Sequence, residues 1–223
     1  MTIKEAVDEL LRSKPYLEEA LQDGLINITA LARSIKGEVA VLSGKEPALG
    51  AIVMAIQRHQ PGRLITAHVK IGSLMANITN IIVRSGIHVR TYENSSDLSD
   101  RLTELSVVFS KKQKVFYTFS QGIFETTIIF GRRALDDLER IMAQEKKISE
   151  SVDQACITLY LPDENTSIPG YYYYILKLIA WEGINITEIL STTNEFSIIL
   201  DENLVDKAFS VLKNAGKKGG GRF

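Results

Sequence analysis

Apolar and polar positions change rhythm along the chain in a cycle that runs twice. From Ile87 to Glu93 apolar residues alternate with polar ones, which predicts a strand. Leu98, Leu102, Leu105 and Phe109 then fall at spacings of four, three and four, one face of a helix. Asp97 or Asp100 suits its start. Two more strands are predicted at 115–120 and 124–130, and a closing helix at 132–144. The second cycle predicts a strand over 155–161 and a helix in which Pro169 sits early, where its missing N–H costs nothing. Gly183 ends that helix. Strands at 184–191 and 195–200 and a helix at 202–213 complete it. Each copy reads βαββα.

The copies overlay at an offset of 70 without a gap. Ile87 and Val89 fall on Ile157 and Leu159, Leu105 on Ile175, and Ile128-Ile129-Phe130 on Ile198-Ile199-Leu200. Three strands on two helices bury little and leave edges open. The copies are therefore expected to complete one another by exchanging strands, or to pair with another chain. Residues 63–86 read as a connector able to supply a missing strand, with 78–83 either a strand or the end of a connecting helix.

The first 60 residues have helical spacing instead. Ile3, Val7, Leu10 and Leu11 form one apolar series, and Pro15 opens a second helix with Leu17, Ala20 and Leu21. Gly24 breaks it, leaving room for a very short strand at 25–28. Asn27 or Thr29 suits the cap of a third helix, Pro47 starts a fourth, and Pro61-Gly62 marks a boundary. This layout resembles a helix-turn-helix, which makes Arg33, Lys36, Gln57 and Arg58 candidate DNA contacts. Against that, residues 1–60 hold seven Lys/Arg and eight Asp/Glu, a poor balance for neutralising phosphates. The segment Ala48–Ile56 is small and apolar almost all round, as in a helix packed on protein.

Composition changes this picture little. The 223 residues are 45% hydrophobic and 24% charged, with a net charge of −1, so no global field draws nucleic acid or membrane. The single cysteine, Cys156, excludes an intramolecular disulfide and fits a cytoplasmic location. No segment approaches the roughly 18 apolar residues of a membrane span, and no targeting signal is evident.

One passage carries a family resemblance. Ser167-Ile168-Pro169-Gly170 opens a helix, and Trp181-Glu182-Gly183-Ile184-Asn185-Ile186-Thr187 turns into a strand. This resembles the ACT domain. Asn194-Glu195-Phe196-Ser197-Ile198-Ile199-Leu200-Asp201 is similar to the strand before the last helix in aspartokinase regulatory regions. The match covers 154–214; the first copy shares the pattern but lacks the Pro-Gly and the Gly-Ile-Asn. The resemblance implies tandem ACT modules that bind a small effector, often an amino acid, and assemble as oligomers. It places the contacts on the first loop–helix junction, Asp163, Asn165, Ser167, Ile168, Pro169 and Gly170, and on the following strand, Asn185, Ile186 and Thr187. The chemistry is sound: free N–H groups at a helix start donate to a carboxylate, Gly170 permits close approach, and Asp163 or Glu164 suits an ammonium group.

Other constellations carry no chemistry. His59, His68 and His88 lack metal-site spacing and read as structural or surface residues, and Cys156 reads as a buried, inert thiol. Gly44-Lys45-Glu46 is not a nucleotide loop, and no catalytic motif occurs. Tyr171 to Tyr174 point about 100° apart on a helix, so they cannot form one stacking platform. The expectation is an α/β protein: a helical, helix-turn-helix-like module (1–62), a connector with a first ferredoxin-like ACT repeat (63–150), a second repeat (151–216) and a disordered tail (217–223). It is expected to be a non-enzymatic amino-acid sensor without cofactor, metal or membrane anchor, working as a homo-oligomer, a dimer first of all. Transcriptional regulation through residues 1–60, a regulatory subunit and a ligand-free structural module are the alternatives.

Overall fold

The computed structural model describes residues 1–59, Ile71, Met75, Ile78, 80–112 and 115–218, apart from the side chains of Gln22 and 216–218. The Pro61-Gly62 boundary, His68, Gln113, Lys114 and residues 219–223 lie outside the described residues. The chain divides into two compact units, Met1–Ile71 with Ser167–Tyr171, and Gly72–Thr166 with Tyr172–Phe223.

In the first unit, α1 (Ile3–Arg12) opens on a capping box in which Thr2 and Glu5 exchange hydrogen bonds. The helices α2 (Pro15–Gln22), α3 (Ile28–Ser43) and α4 (Leu49–Gln57) follow. Val7, Leu11, Ile35, Val39, Ile52 and Ile56 anchor their core. All of its buried members come from α1, α3 and α4; α2 adds only the half-buried Leu17 and Leu21. The short strand expected at 25–28 is not formed. Asn27 is instead the N-cap of α3, its Oδ1 accepting from Ala30 N at 3.0 Å, and Ile28 is already helical.

The second unit is built on one antiparallel sheet. Its strands are β1 (Ile81–Glu93), β2 (Tyr117–Gln121), β3 (Glu125–Gly131), β4 (Lys147–Tyr160), β5 (Glu188–Ser191) and β6 (Glu195–Asp201), in the order β2-β3-β1-β4-β6-β5. The helices are α5 (Leu98–Lys111) and α6 (Leu135–Ile141) in the first repeat, α7 (Tyr171–Trp181) and α8 (Val205–Lys218) in the second.

The two long strands are shared between repeats. Ile81–Arg84 pairs with Leu159–Cys156 and so gives the second repeat its fourth strand. The opening of β4, from Lys147 to Ser151, pairs with Tyr92 to Val89 and does the same for the first. The exchange expected from the incomplete copies is present. Each long strand changes register near a residue of positive φ, Gly86 at 66° and Asp153 at 52°. The flanking contacts mirror each other: Gly86 N faces Glu202 Oε2 at 3.4 Å, and Arg132 Nη2 donates to Asp153 Oδ1 at 2.9 Å.

The gapless offset of 70 does not hold in the first strands. Ile87 opposes Gly131, whereas Gln154 opposes Asp201. The first strands therefore overlay at 67, with Ile87 on Gln154 and Val89 on Cys156, while β3 and β6 keep the offset of 70. An odd displacement turns a strand over. Ile87 and Val89 accordingly cluster with Ile129, Cys156 and Ile199 on the sheet face away from α5 and α6, while Tyr92, Ile128 and Phe130 pack with those helices. Both faces are buried here, so hydrophobic alternation does not say which face is which. The three residues by which the second copy is longer lie in the loop after β4.

Candidate functional site

That loop is the one the sequence singles out. Asp163–Ser167 form a 3₁₀ turn, and Gly170 has φ 87°, a conformation that favours glycine. The loop is braced by the β5–β6 hairpin. Leu161 N donates to Asn194 O at 2.6 Å, and Asn194 Nδ2 donates to Leu161 O at 3.2 Å and to Asp163 Oδ1 at 2.7 Å. Asn165 is only 5% exposed. Its Nδ2 donates to Pro162 O at 2.8 Å and to Thr193 O at 2.9 Å. Those bonds fix which end of the amide is oxygen. The buried Oδ1 then has no hydrogen-bond partner among the described residues, an arrangement that costs about 1–3 kcal/mol.

The expected ligand set does not come together. Asn185 and Thr187 are exposed and Ile186 is half-buried. Thr187 N donates to Ile199 O at 2.8 Å, and its hydroxyl donates to Gln154 Oε1 at 2.7 Å. Thr187 thus sits at the start of β4's second half, whereas the loop follows Tyr160 at its end. About five residues at 3.3 Å each separate the two along the strands, roughly 16 Å. The cause is the helix between them, which carries the chain back to the far end of the sheet. Asp163 and Asn165 belong to the sheet unit, while Ser167, Ile168, Pro169 and Gly170 group with the helical unit. Gln154 and Thr193 carry no role in the sequence analysis, and Asn194 appears there only as the start of a strand. Asn194, in the Thr-Asn turn before a strand, carried a turn signal; Gln154 carried none.

The candidate DNA contacts are dispersed. Arg33 is exposed on α3, and Lys36 Nζ is paired with Glu46 at 2.7 Å. Gln57 ends α4 and Arg58 is its C-cap, both exposed. Before them the outer face of α4 offers Gly50, Ala51 and Met54, with no cation.

A second feature lies on the first repeat. A groove of about 570 Å³ runs between α5 and the edge strand β2. Ser99, Thr103, Ser106 and Ser110 line it at spacings of four, three and four, with the exposed apolar Val107 and Phe119. Among the described residues, no charged one lines it. In the second repeat the corresponding place is taken by Tyr172, whose ring stacks on Phe196 at 4.8 Å and whose hydroxyl lies 3.0 Å from Ser191 Oγ.

Among solved structures, aspartate kinase from Clostridium acetobutylicum superposes with a TM-score of 0.52 at 15% identity, over 62% of this chain and 34% of the kinase. Aspartate kinase from Synechocystis gives 0.50 at 12% identity, over 78% and 31%. The chain has the paired-ACT fold of aspartate kinases. Similarity at this level is one of fold, and the chain spans about a third of the length of these two enzymes. The regulatory subunit of aspartate kinase from Thermus thermophilus, in its ligand-free form, matches at 0.48 and 14% identity over 61% of this chain and 97% of that one. No protein-family model and no curated protein sequence matches the chain. No described helix is long and apolar enough to cross a membrane. In an ACT fold Cys156 is a core residue, and here it is fully buried, with Sγ 3.6 Å from Thr158 Oγ1.

Proposed function

We propose that the chain is a non-catalytic regulatory protein that senses an amino acid at the loop following β4. The observation that carries this reading is the buried, unpartnered Oδ1 of Asn165. An ammonium group donates to such an oxygen and removes the penalty of its burial. Asp163, exposed beside it in the same turn, adds the negative charge. The Clostridium enzyme that shares the fold is described as allosteric, which fits a module whose output is a change of state elsewhere.

The assembly proposed is a homodimer through the groove of the first repeat. A second copy adds strand to strand at β2 and lays helix against helix over the small hydroxyl stripe. The described lining carries no charge, so two identical surfaces of this composition meet without repulsion. DNA binding through Arg33, Lys36, Gln57 and Arg58 is the alternative; an engaged Lys36 and an α4 face without cations favour the sensor.

The test is a thermal-shift screen against the twenty amino acids. A ligand at a hundredfold excess over its Kd raises the melting temperature by about 5–10 °C. Asn165→Ala removes that response and Asn185→Ala leaves it. A melting temperature that no amino acid moves contradicts the sensor reading.

A further inference from the structure

One cation of the sheet unit has no counter-charge. Arg84, on the half of β1 that pairs with the second repeat, is half-buried. Its Cζ lies 5.1 Å over the Phe116 ring. Its one hydrogen bond among the described residues, Nη1 to Thr158 Oγ1, is long at 3.4 Å. No carboxylate pairs with it among the described residues, and the segments that hold the rest of the chain, 60–79, 113–114 and 219–223, contain no Asp or Glu.

A charge taken part-way out of water is ordinarily paired. A guanidinium carries several N–H donors, and here one is used, weakly. Attraction to the aromatic face holds the group in place without using any of the others. Thr158 is itself buried and shares a 2.8 Å hydrogen bond with the buried Ser197, so the contact on that side is fixed as well. Arg84 is anchored on two sides and keeps donors to spare.

The first repeat brings a second arginine to the same corner. Phe116 O accepts from Gly131 N at 2.9 Å, and Arg132 comes next in the chain. A Cβ on Gly86, two residues after Arg84, would lie 4.0 Å from Arg132 Cβ. Arg132 Nη2 donates to Asp153 Oδ1 at 2.9 Å, but both side chains are well exposed, at 65% and 67%. An exposed pair of this kind contributes little and yields to a stronger anion. A second acid, Glu202, turns its Oε2 to Gly86 N at 3.4 Å. The strand lent to the first repeat carries Ser151 where β1 carries Arg84, so the arrangement occurs once.

We propose that Arg84 and Arg132 bind a doubly charged oxyanion of the phosphate type where the two repeats cross. A dianion suits the pair better than a carboxylate does, because it must draw Arg132 from Asp153 as well as answer Arg84. The bound group ties the strand that β1 lends to the second repeat to the turn that opens α6 in the first. It is separate from the proposed sensor loop. Arg84 opposes Cys156, and that loop begins after Tyr160, roughly 13 Å further along β4 at about 3.3 Å per residue.

The test is an NMR titration of the arginine Cζ and Nε resonances of the full chain with inorganic phosphate, at constant ionic strength and above about pH 7, where phosphate is mostly doubly charged. Saturating shifts are expected at Arg84 and Arg132 and none at Arg133, their exposed neighbour. Arg84→Gln weakens phosphate about tenfold or more, the loss of a charge-assisted bond, while Arg133→Gln leaves the affinity unchanged. Arg84→Lys keeps the charge, loses the planar fork and still weakens binding several-fold. If the Arg84 variants do not fold, Arg132→Gln, at an exposed position, takes their place. Glycerol phosphate that binds as inorganic phosphate does assigns the site to a phosphorylated small molecule; one that does not assigns it to the free ion. Shifts that rise linearly without saturating, an equal loss in Arg133→Gln, or acetate bound as tightly as phosphate overturns the proposal.

Discussion

In the first repeat the chain passes from β1 to α5 through four residues; in the second it takes ten to pass from β4 to α7. The short loop is internally complete. Asn94 N donates to Phe124 O at 2.8 Å, its Nδ2 donates to Gly122 O at 2.8 Å, and its Oδ1 accepts from the fully buried Thr126 hydroxyl at 2.6 Å. The corresponding backbone bond in the second repeat, Leu161 N to Asn194 O, is kept, but the side chain at that position is now apolar. Asn165 and Asn194 take over the bracing, and they leave an oxygen unanswered. The frame is the same in both repeats, and the asparagine that braces the loop has all its side-chain atoms bonded only in the first. The short loop answers its own Asn94, whereas in the long loop Asn165 Oδ1 has no partner among the described residues, the difference on which the proposed sensor rests.

The frame itself is the place to attempt the largest disruption. Ile128 and Ile198 occupy matching positions on β3 and β6 and are both fully buried. Replacing either by alanine costs about 2–5 kcal/mol in denaturant titration. Because half of each long strand belongs to the other repeat, the sheet unit unfolds in a single transition whichever repeat is damaged. Two separated transitions in Ile198→Ala break the comparison at its root.

The bulge positions sharpen it with opposite signs. A Cβ on Gly86 meets nothing closer than Arg132 Cβ at 4.0 Å, so Gly86→Ala costs only its left-handed conformation, about 1–2 kcal/mol. Asp153→Gly relieves the same strain and loses only an exposed ion pair with Arg132. It is expected to gain up to about 1 kcal/mol.

Acid separates the repeats next. His88 is buried against Phe130 with neither ring nitrogen bonded among the described residues. Burial first, then the nearby Arg132 and Arg90, holds it below the ordinary histidine value. A histidine whose folded value is depressed stabilises the fold above its unfolded value, near pH 6.5, and that contribution fades as pH falls toward the folded value. The second repeat has Ala155 at the matching position. His88→Leu therefore flattens the decline in melting temperature below pH 6.5, and an unchanged decline shows that the acid sensitivity lies elsewhere. The smallest effect is expected at Tyr172→Phe. Losing the exposed bond to Ser191 costs less than about 1 kcal/mol, because ring stacking on Phe196 remains.

Much of the frame is legible from residue types. The helix stripe Leu98-Leu102-Leu105-Phe109 is buried throughout, Gly183 adopts the left-handed conformation of a helix end, and Asn27 caps α3. The incompleteness of a βαββα unit correctly implies borrowed strands. The site is legible only in part. Asn165 lies in the right loop, but its importance comes from an oxygen that is buried and unbonded, and no sequence pattern reports burial of a loop side chain. Asn185 and Thr187 were joined to the loop by the resemblance, whereas the intervening helix sends them to the other end of the sheet. The three extra residues after β4 escaped notice because a strand buried on both faces matches its repeat equally well at two offsets.

The measurement closest to the central claim is a backbone amide titration by NMR with whichever amino acid moves the melting temperature. Shifts are expected in residues 161–166 and 192–195, where Asn165 and Asn194 brace the long loop, and not in 94–97 and 122–126, where Asn94 closes the short one. Perturbations confined to the first repeat, or to 185–187 at the opposite end of the second, would contradict it.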